Sequence, residues 1–145
     1  MSYERLIDEH AQIDIARVRL QCLMDTDTPD VGAVVVALSD LARQLADHLA
    51  HEDSFIYPRM IAGSNTESSS TANNFVSEFA DLRRDWLLYV AEWNGERIAA
   101  DWARFRSESE RMNLWLEQRV RAENELLYAM ALKTNAIPLR ERRAG

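Results

Sequence analysis

Four long segments of the chain repeat apolar residues at every third or fourth position, which is the spacing of one face of an α-helix. They cover about residues 3–24, 29–61, 72–93 and 97–133. Four glycines and three prolines in 145 residues leave few points at which a helix must end. The pattern predicts an all-α fold, an up-down-up-down four-helix bundle that forms a single domain over residues 1–133. We expect the stretch GSNTESSST to be a linker and residues 134–145 to be a flexible tail.

Polar residues lie on the helix faces that should meet the core. His10 lies on the apolar face of the first helix, His48 and Glu52 on that of the second, and Arg119 and Glu123 on that of the fourth. Buried charged groups need a partner of opposite charge or a metal ion. These five residues are therefore the first candidates for a functional site.

The two halves of the chain repeat one another. The segment HAQID, which begins at His10, aligns with FADLR, and the segment HLAHEDSFIYP, which begins at His48, aligns with RVRAENELLYA. In the second segment of each half, a Glu follows the first residue by four positions, and a Tyr follows that Glu by five. The alignment places Phe79 and Arg119 where the first half has histidines.

This pattern resembles the hemerythrin-like family of HHE cation-binding domains. In that family each half of a four-helix bundle supplies one His from its first helix and a His-x-x-x-Glu from its second, and two irons share the carboxylates. The resemblance covers nearly the whole chain, and the connection YVAEWNGERIAADWARF is similar to that of bacterial members. The resemblance implies a set of metal ligands, His10, His48, Glu52 and Glu123, with Phe79 and Arg119 in the positions of lost ligands.

The sequence leaves the occupancy of this site open. In one interpretation the four ligands bind a single Fe, Mn or Zn ion, with a free position for O2, NO or water. In another no metal binds, and Arg119 pairs with the two glutamates through its guanidinium fork. A third interpretation is a fuller site that recruits His51, Asp81 or Glu78.

The functional hypotheses follow the same division. The resemblance implies a binding or regulatory protein that senses or binds O2, NO or iron rather than carries O2. The alternative is a metal-free regulatory or scaffolding bundle, since bacterial regulators that sequester the housekeeping sigma factor are similar over parts of the second and fourth helices. An enzyme with a single open metal site ranks last, because no nucleophile–base pattern is present.

Charge and composition restrict the partners. The net charge of −7 argues against a nucleic-acid binder. The longest apolar run, GAVVVAL, is too short to span a membrane, and the N-terminal segment has no apolar signal core, so we expect a cytoplasmic protein. One cysteine excludes an internal disulfide and a thiolate metal site.

The first helix has a second apolar line on the side away from His10. It consists of Ala11, Ile15, Val18 and Cys22. A bundle helix needs one apolar face. The second line predicts a homodimer contact or a protein partner, unless flanking helices cover it.

Overall fold

The computed structural model describes residues 1–141, which form the expected all-α, hemerythrin-like bundle without any strand in that range. The first arm is α1 (Tyr3–Met24). The second arm is α2 (Val31–His51), a first π-turn (Glu52–Ile56) and α3 (Tyr57–Ala62). The third arm is α4 (Thr66–Glu78) and α5 (Ala80–Glu92), and the short α6 (Gly95–Ala100) leads on from it. The fourth arm is α7 (Trp102–Ala122), a second π-turn (Glu123–Leu127) and α8 (Tyr128–Lys133).

The linker predicted over GSNTESSST is shorter than expected, because α4 begins inside it. The side chain of Asn65 accepts a hydrogen bond from the backbone N–H of Ser68 at 2.8 Å and caps the helix. Ser68 is itself buried, and Ala72 and Phe75 supply the apolar face of this first part of the third arm. A good N-cap and an apolar face therefore outweigh the weak helix propensity of the serines.

The polar residues of the bundle divide its apolar core into two parts. On α1, Leu6 belongs to one part and Ile13 to the other, with His10 between them. On the fourth arm Leu116 and Leu127 are divided in the same way. The site therefore crosses the middle of the bundle and has apolar packing above and below it.

The expectation of a flexible tail from residue 134 differs from the structure over residues 134–141. Ile137 is buried in the core. The backbone N–H of Tyr3 donates to the carbonyl of Pro138 at 2.8 Å, and that of Glu4 donates to the carbonyl of Leu139 at 3.1 Å. The first N–H groups of a helix have no partner within it, so this segment satisfies the start of α1. Residues 142–145 of the predicted tail lie outside the described residues.

The second apolar line of α1 is exposed. Ile15 is 62% and Val18 49% exposed, and Ala11 and Cys22 are also exposed, so no other helix of the described chain covers the line. A homodimer or protein partner at this surface stays a prediction. None of the helices within residues 1–141 has the length and apolar character that crossing a membrane requires.

Candidate metal centre

Two π-turns aim the glutamates and tyrosines of the repeat into the core. Residues five apart lie about 140° apart around an α-helix, on different faces. In a π-turn the hydrogen bond spans five residues, so the two side chains come into line. The N–H of Tyr57 donates to the carbonyl of Glu52, and that of Tyr128 to the carbonyl of Glu123. The second turn forms with Ala129 where the first has Pro58, so the proline is not required for it.

Four donor atoms from three arms meet in the centre of the bundle. They belong to His10, His48, Glu52 and Glu123, all buried, and lie within 4.8 Å of one another. His10 Nε2 is 3.0 Å from His48 Nε2 and 2.8 Å from Glu123 Oε1, and His48 Nε2 is 3.6 Å from Glu52 Oε2. Ligands that bind one ion at about 2.1 Å lie about 3.0–3.5 Å from their nearest neighbours. These neighbouring pairs therefore have the spacing of ligands around one transition-metal ion, and the widest pairs would close to about 4.2 Å or less when it binds.

The outer nitrogens of both histidines have acceptors that fix the imidazole tautomers. His10 Nδ1 is 2.6 Å from the side-chain oxygen of Asn124, and His48 Nδ1 is 2.9 Å from Glu9 Oε1. Because these oxygens accept, both Nδ1 atoms donate, so Nε2 of each ring is the atom that faces the centre. Outer partners of this kind hold histidines in the form that binds a metal.

Arg119 lies beside the two glutamates, on the side of the third arm. Its Nε donates to Glu123 Oε2 at 2.8 Å, and one Nη donates to Glu52 Oε1 at 3.1 Å. The same Nη donates to the hydroxyl of Tyr57 at 3.3 Å. The ring of Phe79, at the break between α4 and α5, covers the guanidinium at 4.8 Å from the ring centroid, within the range of a cation–π contact. Arg119, which belongs to the second half of the repeat, therefore places a permanent positive charge beside both carboxylates.

The electrostatics of the metal-free site depend on the protons that it holds. Burial disfavours the charged form of His48. Hydrogen bonds to the carboxylates of Glu123, Glu52 and Glu9 outweigh this effect and raise its pKa to about 11. Burial and the charge of Glu123 raise the pKa of Glu52. Burial acts in the same direction on Glu123, but hydrogen bonds to His10 and His48 and the charge of Arg119 hold its pKa well below the ordinary value. Without a metal, a proton on His48 and the guanidinium are thus the cations of this cluster.

The hydroxyl of Tyr128 is adjacent to all four candidate ligand atoms. It is 2.9 Å from Nε2 of both His10 and His48, 3.0 Å from Glu52 Oε2 and 3.3 Å from Glu123 Oε1. The side chain is fully buried, and burial raises the pKa of the phenol, with the charges of both glutamates acting in the same direction. The neutral phenol has one proton to donate among these four atoms.

The structure brings the four expected ligands together, with Arg119 and Phe79 next to them. Their role as ligands stays a prediction. Asp81 and Glu78 are exposed, and His51 is 29% exposed on its side chain and bonded to Glu9 at 2.6 Å, so none of the three joins the cluster.

Sequence reasoning missed Glu9, Asn124 and Tyr128. The available signals were the neighbours of the ligands along the chain and the Tyr five residues after each Glu. Glu9 contacts His48 and Asn124 contacts His10, both from positions that a helical projection places off the core face.

A four-helix bundle that buries two histidines and two glutamates around one point has, in its core, a group of side chains that could hold a metal ion. A family model described as the hemerythrin HHE cation binding domain matches residues 1–131. The chain therefore belongs to the hemerythrin family, as the sequence predicted. Neither a curated protein nor a solved structure matches it.

Proposed function

We propose that the chain binds a single iron ion through His10, His48, Glu52 and Glu123, and that it is a binding or sensing protein for iron or a diatomic gas. The observation that supports this most directly is the orientation of the histidines. Both Nδ1 atoms are engaged by oxygen acceptors, so both Nε2 atoms meet at a point that two carboxylates also reach, and Nε2 of His48 gives up its proton when a metal binds there. Neutral imidazoles and carboxylates together suit iron, manganese and zinc, and family membership favours iron.

Arg119 supports one ion rather than two. Its guanidinium bonds to the glutamate oxygens that face away from the histidines, Glu52 Oε1 and Glu123 Oε2. A second ion at these oxygens would meet a fixed positive charge and would lack nitrogen ligands, because Phe79 supplies none. The cation also keeps the two carboxylates in place for the single ion.

A bound ferrous ion would supply a site at which a diatomic ligand such as O2 or NO can bind. The protein's own residues hold the site in a dry, apolar setting, since the core packs on both sides of it. A site with one metal and a fixed arginine is suited to detecting a ligand or an ion rather than to reversible O2 transport by a pair of irons. This is the basis for proposing a sensing or regulatory role.

Metal content after iron loading tests the proposal. Purified protein, treated with chelator and then with ferrous iron without oxygen, should retain one iron per chain by elemental analysis. His10→Ala and His48→Ala should each lose most of it, because each removes a nitrogen ligand. His51→Ala is the matched control and should retain the metal, since its ring lies outside the cluster. Protein that stays iron-free after ferrous loading would refute the proposal, whether or not it takes up manganese or zinc.

A further inference from the structure

We infer that Tyr128 is a further metal ligand, which binds ferric iron through its phenolate oxygen. The inference rests on the proposed function, since it concerns the same ion. It concerns a residue type outside the His and Glu pattern that pointed to the site.

The position of the hydroxyl carries the inference. It lies 2.9–3.3 Å from one donor atom of each of the four proposed ligands. Its distances to Nε2 of His10 and to Nε2 of His48 are equal, at 2.9 Å. Neighbouring ligands of one transition-metal ion lie about 3 Å apart, so an atom adjacent to all four has the place of a fifth ligand. The second π-turn fixes this position by bringing Tyr128 into line with Glu123.

The chemistry of the donor atoms favours the same reading. In the metal-free cluster Nε2 of His48 and the phenol can each donate one proton to these contacts, and a bound ion takes the place of both protons. When ferric iron binds, the Tyr128 O–H bond breaks, an oxygen–iron bond forms and the proton goes to solvent. No electrons are transferred in this step. Tyrosinate is an established ligand of iron in other proteins.

The charge of the buried cluster supports a trivalent ion with a phenolate. With both histidines neutral, the buried carboxylates of Glu52 and Glu123 and the guanidinium of Arg119 leave one negative charge, and the partly exposed carboxylate of Glu9 adds a second at the edge of the cluster. A divalent ion neutralises them, while a trivalent ion leaves one positive charge. The phenolate of Tyr128 removes that charge, and a neutral buried cluster avoids the cost of an unpaired ion.

Tyr57 is the matched control within the same chain. It follows Glu52 by five residues, as Tyr128 follows Glu123, and its π-turn is equivalent. Its hydroxyl bonds to Arg119 at 3.3 Å, on the far side of the glutamates from the histidines. Both tyrosines are buried phenols beside the same carboxylates, so they differ mainly in access to the ion.

The experiment compares wild type, Tyr128→Phe and Tyr57→Phe after loading with ferric citrate and removal of excess iron. Iron per chain is measured by elemental analysis, and phenolate coordination by the visible charge-transfer band and its resonance Raman ring vibrations. Wild type and Tyr57→Phe should show the band at equal intensity per iron. Tyr128→Phe should lose at least nine-tenths of the band per iron that it retains. Circular dichroism checks the fold of each variant.

Iron binding without a phenolate band in wild type, or with a band that survives Tyr128→Phe, would overturn the inference and leave the proposed function intact. No iron in wild type after ferric loading would overturn the inference, and the ferrous loading without oxygen decides the proposed function separately. If Tyr128→Phe fails to fold, the Raman spectra of wild type and Tyr57→Phe decide the question. Phenolate vibrations in both leave Tyr128 as the tyrosine at the cluster, because Tyr3 begins α1, seven residues before His10, and the hydroxyl of Tyr89 bonds to Ser109.

Discussion

Replacing Arg119 with methionine tests whether its charge stabilises the metal-free protein. The change keeps much of the side-chain volume and removes the cation between Glu52 and Glu123. Two charge-assisted hydrogen bonds are lost, at 2.8 and 3.1 Å, each contributing about 1.5–3 kcal/mol. Removing one partner of a buried ion pair costs about 3–5 kcal/mol, because the other charge stays buried without compensation. We expect a loss of about 3–5 kcal/mol in the free energy of unfolding at pH 7.5.

The pH dependence of this loss separates charge from packing. The folded-state pKa of Glu123 is depressed, so its contribution is present above the unfolded value and is lost as the pH falls. The folded-state pKa of Glu52 is already raised, and removing Arg119 raises it further. As the pH falls, Glu52 of the variant therefore takes up a proton, and the cost of burying its unpaired charge disappears. The difference between wild type and Arg119→Met should therefore shrink between pH 7.5 and 5.5.

Urea unfolding of chelator-treated protein at the two pH values provides the measurement. Arg83→Met is the control, because Arg83 pairs with Asp53 at the surface, where 38% and 49% of the side chains are exposed. Such an exposed pair contributes about 0–1 kcal/mol. A second change, Glu52→Gln, should recover part of the loss in Arg119→Met. A loss below about 1 kcal/mol, or one that is equal at both pH values, would refute the electrostatic reasoning.

Three further predictions concern the metal. Glu9→Ala should weaken iron binding by about 10–100-fold in a chelator competition, because the acceptor of His48 Nδ1 is lost. Asp8→Ala, a change at an exposed neighbour, should bind iron as wild type does. Ferrous affinity should rise about tenfold or more per unit from pH 6 to 8, because His48, with its pKa at about 11, must release a proton; a flat profile contradicts this. The double change Phe79→His and Arg119→His places histidines at the two positions that align with His10 and His48. Elemental analysis should then find close to two metal ions per chain. A value that stays at one would contradict the idea that the two halves of the repeat form equivalent metal sites.

The helical projection predicted the polar core because most of the chain is regular α-helix. His10, His48, Glu52, Arg119 and Glu123 were all assigned to core faces, and all five are buried. Each of them lies in an α-helix or at the first residue of a π-turn, where a step of 100° per residue still holds. The family resemblance then implies which of them are candidate ligands.

The same projection could not find Tyr128. At 100° per residue it lies about 140° away from Glu123, on a different face of the helix. The π-turn brings the side chains of Glu123 and Tyr128 back to the same face. The spacing of apolar residues in a sequence does not show where a helix changes from four-residue to five-residue hydrogen bonds. Glu9 was missed for a related reason, since it reaches His48 across the gap between two helices from a half-exposed position.

Tyr57 and Tyr128 show how two substitutions give a symmetric repeat an asymmetric site. Both follow a glutamate by five residues and both lie at the end of a π-turn, so the backbone treats them alike. Their hydroxyls nevertheless meet opposite chemistry, a guanidinium for Tyr57 and two imidazoles for Tyr128. A phenol beside a fixed cation has no place for a second cation, whereas a phenol beside two imidazoles faces groups that can bind one once His48 has released its proton. If the proposed function holds, the arginine therefore does more than fill a ligand position, because it determines which half of the repeat holds the ion.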